Sequence, residues 1–238
     1  MNIEKKTVLI TGGNRGIGRA LVDEALRRGA KRVYAGTRGA LHHLDERVTA
    51  LALDVTNAAQ IQAAVEKVDS LDVLINNAGV AIYDDLSKLD VIEQHLAVNL
   101  LGALKVTHAF LPLLRRSKGA IVNNLSLAAL AALPLIPAYS MSKAAAFNMT
   151  QSWRAFLAGQ GVTVHAVLLG PIDTDMTRGF EILKASAETA AQGIFDGLQK
   201  GEQDIFPDPA SQPLAESWRT GALKELERQF AAFVQSAA

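Results

Sequence analysis

Val8-Leu9-Ile10-Thr11-Gly12-Gly13-Asn14-Arg15-Gly16-Ile17-Gly18-Arg19-Ala20 passes from a short apolar run, through a turn with four glycines, into a helical pattern. A strand feeding a helix through such a turn is where phosphate binding is expected. Glycines there permit positive φ and a close approach of the backbone to a pyrophosphate, and the free N–H groups and the helix dipole favour its charge. The spacing is Gly-x-x-x-Gly-x-Gly rather than the tighter Gly-x-Gly-x-x-Gly. An ordinary tight turn is the competing reading, because glycines commonly punctuate such junctions.

Outward from this turn, β-branched runs alternate with helical patterns. Thr7–Thr11, Arg32–Ala35, Ala50–Leu53, Val73–Ile75, Ala120–Leu125 and Thr163–Leu168 read as strands, with Asp204–Phe206 a weaker seventh. Ile17–Arg28, Ala58–Lys67, Leu86–Val98, Gly102–Arg115, Tyr139–Gly159 and Ala187–Leu198 read as helices, and an amphipathic stretch runs from about Leu214 to Val234. The alternation predicts an α/β chain with a doubly wound, seven-stranded, mostly parallel sheet. The strands are apolar on both sides, as expected when helices cover both faces. No Pro/Gly-rich linker or repeat divides the chain, so residues 1–238 read as a single domain, with a variable segment at about 175–200.

Composition narrows the partners. Twenty-four Lys and Arg balance twenty-four Asp and Glu, without the basic excess of a nucleic-acid binder. The absence of cysteine removes disulfides, thiolate nucleophiles and Cys-ligated metals. The longest uninterrupted apolar stretch, Leu127–Ala138, is shorter than the roughly 20 residues of a membrane span and contains Pro134 and Pro137. No membrane segment is expected, and the polar Met1–Lys6 lacks the order of a signal peptide, so a cytoplasmic location is expected. His42-His43 with Asp45 lacks a convincing ligand set and reads as a surface loop, so no metal is assigned. His95 and His108 fall in helical patterns without an identifiable nucleophile, and Trp153 and Trp218 read as packing residues.

The second strand ends in Thr37-Arg38 with no carboxylate at its tip. A carboxylate there serves the 2′-hydroxyl of NAD, whereas Arg38, with Arg15 of the glycine turn, offers guanidinium groups to a 2′-phosphate; NADP(H) is the cofactor expected. Two solvated arginines are the plainer alternative. Asp54-Val55 and Asn76-Asn77-Ala78-Gly79 close the third and fourth strands, beside the crevice where open α/β sheets bind ligands. Asp54 is placed to accept from an adenine amino group, and Asn77, Ala78 and Gly79 to line the adenosine ribose, although Asn and Asp also serve as caps and turns.

Tyr139-Ser140-Met141-Ser142-Lys143 carries the chemistry. Four helical residues bring a phenol and an ammonium to one face, about 6 Å apart along the axis. A nearby cation lowers a phenol from its free pKa of about 10, giving a tunable proton donor and acceptor. Ser126, at the end of the fifth strand, can hydrogen-bond a substrate oxygen as charge builds on it. The apolar Leu127–Leu133 then reads as a dry substrate wall or as a packing surface. Asn99, in apolar company, needs partners: it either holds a water near Lys143 or is a satisfied helix-junction amide.

Taken together, Thr11-Gly12-x-x-x-Gly16-x-Gly18, Asn76-Asn77-Ala78-Gly79, Asn99, Ser126 and Tyr139-x-x-x-Lys143 resemble the short-chain dehydrogenases/reductases, over about Thr7 to Thr174. The resemblance implies a Rossmann fold and a catalytic tetrad of Asn99, Ser126, Tyr139 and Lys143. It implies NADP(H) held by Gly12, Asn14, Arg15, Gly16, Ile17, Gly18, Arg38, Asp54, Val55, Asn77, Ala78, Gly79, Tyr139, Lys143, Gly170, Ile172 and Thr174. The family usually reads Pro-Gly after the sixth strand, and Leu169 replaces that proline here. The activity implied is that of a carbonyl reductase, reversible as an alcohol dehydrogenase, acting on a small molecule. The apolar helices around Val91–Leu114 and Ala144–Leu157 imply a homodimer or homotetramer, as they commonly form interfaces in that family. A non-catalytic NADP(H) sensor and a methyltransferase are the alternatives, the second leaving Ser126, Tyr139 and Lys143 unexplained.

Overall fold

A computed structural model describes residues 1–39, 41 and 43–236. Among them seven strands form one sheet: β1 (Thr7–Thr11), β2 (Arg32–Thr37), β3 (Val48–Ala52), β4 (Val73–Asn76), β5 (Ala120–Asn124), β6 (Thr163–Val167) and β7 (Asp204–Ile205). Their spatial order is β3-β2-β1-β4-β5-β6-β7, and every pairing is parallel. The chain leaves β3 at one edge and re-enters beside β1, so connections splay apart between β1 and β4 and open a crevice at their carboxyl ends.

Alternation along each strand divides the core. Val8, Ile10, Val73, Ile75 and Val122 pack beneath α1 (Gly16–Arg27) and α6 (Ala187–Lys200), while Leu9, Leu74 and Ile121 face α2 (Ala58–Glu66), α4 (Ala103–Ser117) and α5 (Pro137–Leu157). Each fully buried Leu, Ile or Val contributes about 1.5–3 kcal/mol, which is why strands carrying such residues on both faces belong at the sheet centre.

Three boundaries differ from the sequence expectation. β2 continues to Thr37 and β3 begins at Val48 because their ladder runs from Val33↔Val48 to Thr37↔Ala52, which the apolar runs alone do not reveal. The helices expected over Leu86–Val98 and Gly102–Arg115 form one rod: α3 (Leu89–His95), a π-helical segment Leu96–Gly102, and α4. By length and composition Leu89–Ser117 is apolar enough to cross a membrane; here α4 packs on β4 and β5. The single C-terminal helix expected over 214–234 divides at Gly221 into α7 (Ala215–Thr220) and α8 (Ala222–Ser236). At Gly221 the backbone turns extended, and a Cβ there would sit 2.8 Å from Ser217 O.

The last helices are tied to the sheet edge by charge. The buried Asp204 of β7 accepts hydrogen bonds from Arg154 Nη2 (2.8 Å), Lys224 Nζ (2.6 Å) and Trp218 Nε1 (2.9 Å), and both cations also meet Glu227 of α8. Burial raises the Asp204 pKa, and Arg154 and Lys224 more than reverse it, holding the carboxyl below its usual range. Its stabilising contribution is therefore present at neutral pH and is lost as pH falls through that lowered pKa. Asp204→Ala leaves Arg154 and Lys224 with Glu227 as their one carboxylate partner and is expected to lower stability by about 3 kcal/mol in urea denaturation at pH 7; a loss below about 1 kcal/mol would show that the network does not hold the C-terminal helices.

Candidate active site

The crevice exists because polar groups at the ends of β1, β4 and β5 satisfy one another. Thr11 Oγ1 accepts hydrogen bonds from Asn77 N (2.9 Å) and Ala78 N (3.0 Å), while Asn77 Nδ2 donates to Thr11 O (2.9 Å) and Gly12 O (3.3 Å). Asn124 Nδ2 in turn donates to Asn77 Oδ1 at 2.8 Å. Beneath this row, Asn76 Nδ2 donates to Thr107 Oγ1 and Asn123 Oδ1, and Asn123 Nδ2 to Thr150 Oγ1. The asparagines that the sequence presents as turn or cap candidates therefore brace three strands.

Above the brace lies a cleft of about 690 Å³, within the size range of small-molecule and cofactor sites. Gly12, Asn14, Arg15, Gly16, Ile17 and Gly18 form one end, and Arg38, Asp54 and Val55 a second side. Asn77, Ala78, Gly79, Tyr139, Lys143 and Thr174 complete the set that the structure brings together. The glycine turn is tight for a definite reason. Gly12 adopts φ +68°, and a Cβ on Gly18 would stand 2.0 Å from Gly12 O, so the first turn of α1 can close only on glycine. Arg15 lies 3.6 Å from Asp175 and remains largely exposed. The Asp54 carboxyl lies below its usual range because Thr56 donates to it through hydroxyl and backbone, with Arg38 adding in the same direction.

Pro137 occupies the first turn of α5, where its missing N–H is not needed, and one turn presents Tyr139 and Lys143 to the cleft. Lys143 Nζ donates to Asn124 O at 2.8 Å and stands 5.6 Å from the centroid of the Tyr139 ring. Ser126 caps a short turn by accepting from Ala128 N at 3.1 Å. Burial pushes the Tyr139 phenol up to about 12, with hydrogen bonding from Ser126 opposing it, and pushes the Lys143 ammonium down to about 8. Burial dominates at both groups, so Tyr139 and Lys143 are each moved toward the neutral form, and the Ser126 hydrogen bond is what opposes this at Tyr139.

Other expectations also change. Asn99 sits in the π segment that joins α3 to α4, where it accepts from Val80 N and donates to Val80 O, each at 2.9 Å, and donates to Ser142 Oγ at 2.9 Å; its Oδ1 and Lys143 Nζ both border Gly79. Leu127–Leu133 is not the wall of the cleft: Leu127, Ala129 and Leu130 pack on the core around Phe147 and Phe206. The apolar wall comes instead from Val80, Ala81, Ile82, Leu125, Leu169 and Met176. Gly170 and Ile172 stand behind it, Gly170 N donating to Asp208 Oδ2 at 2.9 Å and Ile172 joining the core. Of the histidine pair, His43 is engaged with Asp23 at 3.1 Å, and His42 lies outside the described residues. Sequence reading missed Val80–Ile82, Asn124 and the fully buried His95, although His95 stands four residues before Asn99 and so falls near the same helix face.

Comparison with known proteins agrees with this geometry. The profile of the short chain dehydrogenases matches residues 6–182. A short-chain dehydrogenase from Burkholderia cenocepacia, solved in complex with NADP, superposes with a TM-score of 0.88 at 34% identity, covering 96% of this chain and 98% of that one. The 2-(S)-hydroxypropyl-CoM dehydrogenase 3 of Xanthobacter autotrophicus is 34% identical over 212 residues, 80% of each protein. Mouse estradiol 17-beta-dehydrogenase 2 is 33% identical over 86% of this chain, which spans only 55% of that relative's length. With a glycine-turned crevice at the switch point of a parallel sheet and a profile match across most of its length, the chain belongs to the short-chain dehydrogenase family of oxidoreductases.

Proposed function

We propose that the chain is an NADPH-dependent oxidoreductase that interconverts a carbonyl and an alcohol. One observation carries the reading: a half-buried phenol and a buried ammonium, one helical turn apart, open into the same cleft as a glycine cradle. A Cβ at Gly12 would come within 3.1 Å of Ala78 Cα, so the cradle has no room for side chains and leaves backbone to meet a pyrophosphate. Arg15 and Arg38 line the cleft where a 2′-phosphate needs cations, and β2 ends without a carboxylate. A dinucleotide of the NADP type fits this donor set, and the Burkholderia relative was solved in complex with NADP.

When bound, the reduced nicotinamide supplies hydride. The rest falls to the chain. Tyr139, kept protonated by burial, gives its proton to the substrate oxygen, and the Ser126 hydroxyl donates a hydrogen bond to that oxygen as negative charge grows. Lys143, oriented by Asn124 O, offers its remaining N–H groups to a ribose and its charge to the phenolate left after transfer. In the oxidative direction the Tyr139 phenolate takes the proton from the alcohol. Val80–Ile82, Leu125, Leu169 and Met176 form an apolar wall suited to a carbonyl compound with an apolar body.

A carbonyl and alcohol panel followed at the NADPH absorbance tests the assignment directly. Tyr139→Phe is expected to cut turnover by about 10²–10⁴-fold while NADPH still binds, as general acid catalysis requires; undiminished turnover would reject the role. Arg38→Asp should turn a preference for NADPH toward NADH in paired titrations, and an unchanged ratio would count against the guanidinium argument. In a pH profile, reduction should hold steady at acidic to neutral pH and decline as pH rises through about 8, because burial makes Lys143 release its proton there rather than near its ordinary 10.5. A decline only near the ordinary lysine range would remove Lys143 burial as the cause.

A further inference from the structure

The wall of the cleft that follows β4 is held at two points two residues apart. At the first, Asn99 receives Val80 N and returns a hydrogen bond to Val80 O, while its Nδ2 reaches Ser142 Oγ of α5. At the second, Ile82 N donates to His95 Nε2 at 3.0 Å, and the imidazole stands edge-on to the Tyr139 ring of α5 with centroids 6.4 Å apart. The spacings suit each other. Residues four apart on a helix fall near one face, so the side chains at 95 and 99 reach backbone at 82 and 80. On α5 the corresponding contacts, Tyr139 and Ser142, lie three apart on one face.

The protonation of His95 follows from its partners. Nδ1 lies 2.8 Å from the carbonyl of Val91, which can only accept, so Nδ1 carries the proton. Nε2 is then left with the lone pair that Ile82 N–H requires. The ring is fully buried, so no water replaces either bond. A leucine of similar bulk would fill the volume but leave Ile82 N–H without an acceptor. Beyond Ile82, Tyr83 stacks on Phe180 of the segment after Thr174, centroids 5.5 Å apart.

We propose that His95 is a positioning residue for the reaction: as the Nδ1–H imidazole it fixes the substrate-facing wall Val80–Ile82 against the ring of Tyr139. The inference rests on the reductase reading, since wall and phenol act together only if a carbonyl sits between them. It predicts a split in which substrate positioning suffers while the dinucleotide end of the cleft, built on the glycine turn and Arg38, does not.

The test compares wild type, His95→Leu and His95→Gln, the glutamine amide oxygen reaching as far as Nε2 to accept from Ile82. With the best carbonyl of the panel, His95→Leu is expected to lose about ten-fold or more in kcat/KM, mainly through KM, because small misplacement near reacting groups is costly. NADPH affinity should stay within about two-fold, and His95→Gln should recover most of the loss. Independently of activity, hydrogen exchange at the Ile82 amide should be faster in His95→Leu than in wild type and slow again in His95→Gln, with the Leu9 amide as internal reference. Unchanged KM or unchanged Ile82 exchange in His95→Leu would overturn the proposal, as would a glutamine variant no better than leucine. Should the leucine variant not fold, ¹⁵N spectra of wild type decide, because a proton on Nε2 is incompatible with the role. A wild-type protein without turnover on any carbonyl would sink the reductase reading, while the exchange and tautomer measurements would still judge the His95 contact itself.

Discussion

Everything at the active end of this protein depends on a small set of buried amides and hydroxyls that must satisfy one another where β1, β4 and β5 end. A parallel sheet that reverses direction leaves strand-end carbonyls and N–H groups facing a crevice, and each unpaired group there costs about 1–3 kcal/mol. Thr11 and Asn77 pair strand-end backbone groups in one row, with Asn124 donating to Asn77, and Asn76, Asn123, Thr107 and Thr150 link side chain to side chain in a second beneath it. The rows fix the separation of the strands and bring Asn124 O to Lys143 Nζ. The Lys143 ammonium is thus oriented by a backbone carbonyl whose strand is held by side-chain amides.

Burial sets the electrostatics of the pair on α5. Tyr139 and Lys143 both move toward their neutral forms, the phenol upward and the amine downward, because a low-dielectric site disfavours charge on either. A phenol in that condition is suited to giving a proton to a developing oxyanion, and an amine held near the physiological range is sensitive to what binds beside it. The π-helical turn at Leu96–Gly102 serves the same site from the other side. It lets an unbroken helix present Asn99 to the backbone of Val80 and to α5 together, so hydrogen bonds tie helix, cleft wall and α5 to one another.

Much of this is legible in the amino-acid order. The apolar runs with their intervening helical patterns specify seven parallel strands, because only burial on both faces accommodates such strands. The glycine turn, the carboxylate-free end of β2 and the Tyr-x-x-x-Lys spacing are local features whose consequences come from dihedral freedom, charge and helix pitch. Less legible were the helix spanning Leu89–Ser117 and the break at Gly221. Propensity reads the first as two helices and the second as one, and neighbours decide both.

What the sequence by itself determined is the set of groups that local geometry brings together: the cradle at Gly12–Gly18, the pair on α5, and the strands that carry them. Only the tertiary structure decided which residues face the cleft. It replaced Leu127–Leu133 with Val80–Ile82 as the apolar wall, turned Asn99 to brace that wall, and buried His95 against Tyr139. The physical reason is that burial and hydrogen-bond satisfaction are properties of contacts between segments far apart in the chain, and a single segment carries no record of the partner that will pair its polar atoms.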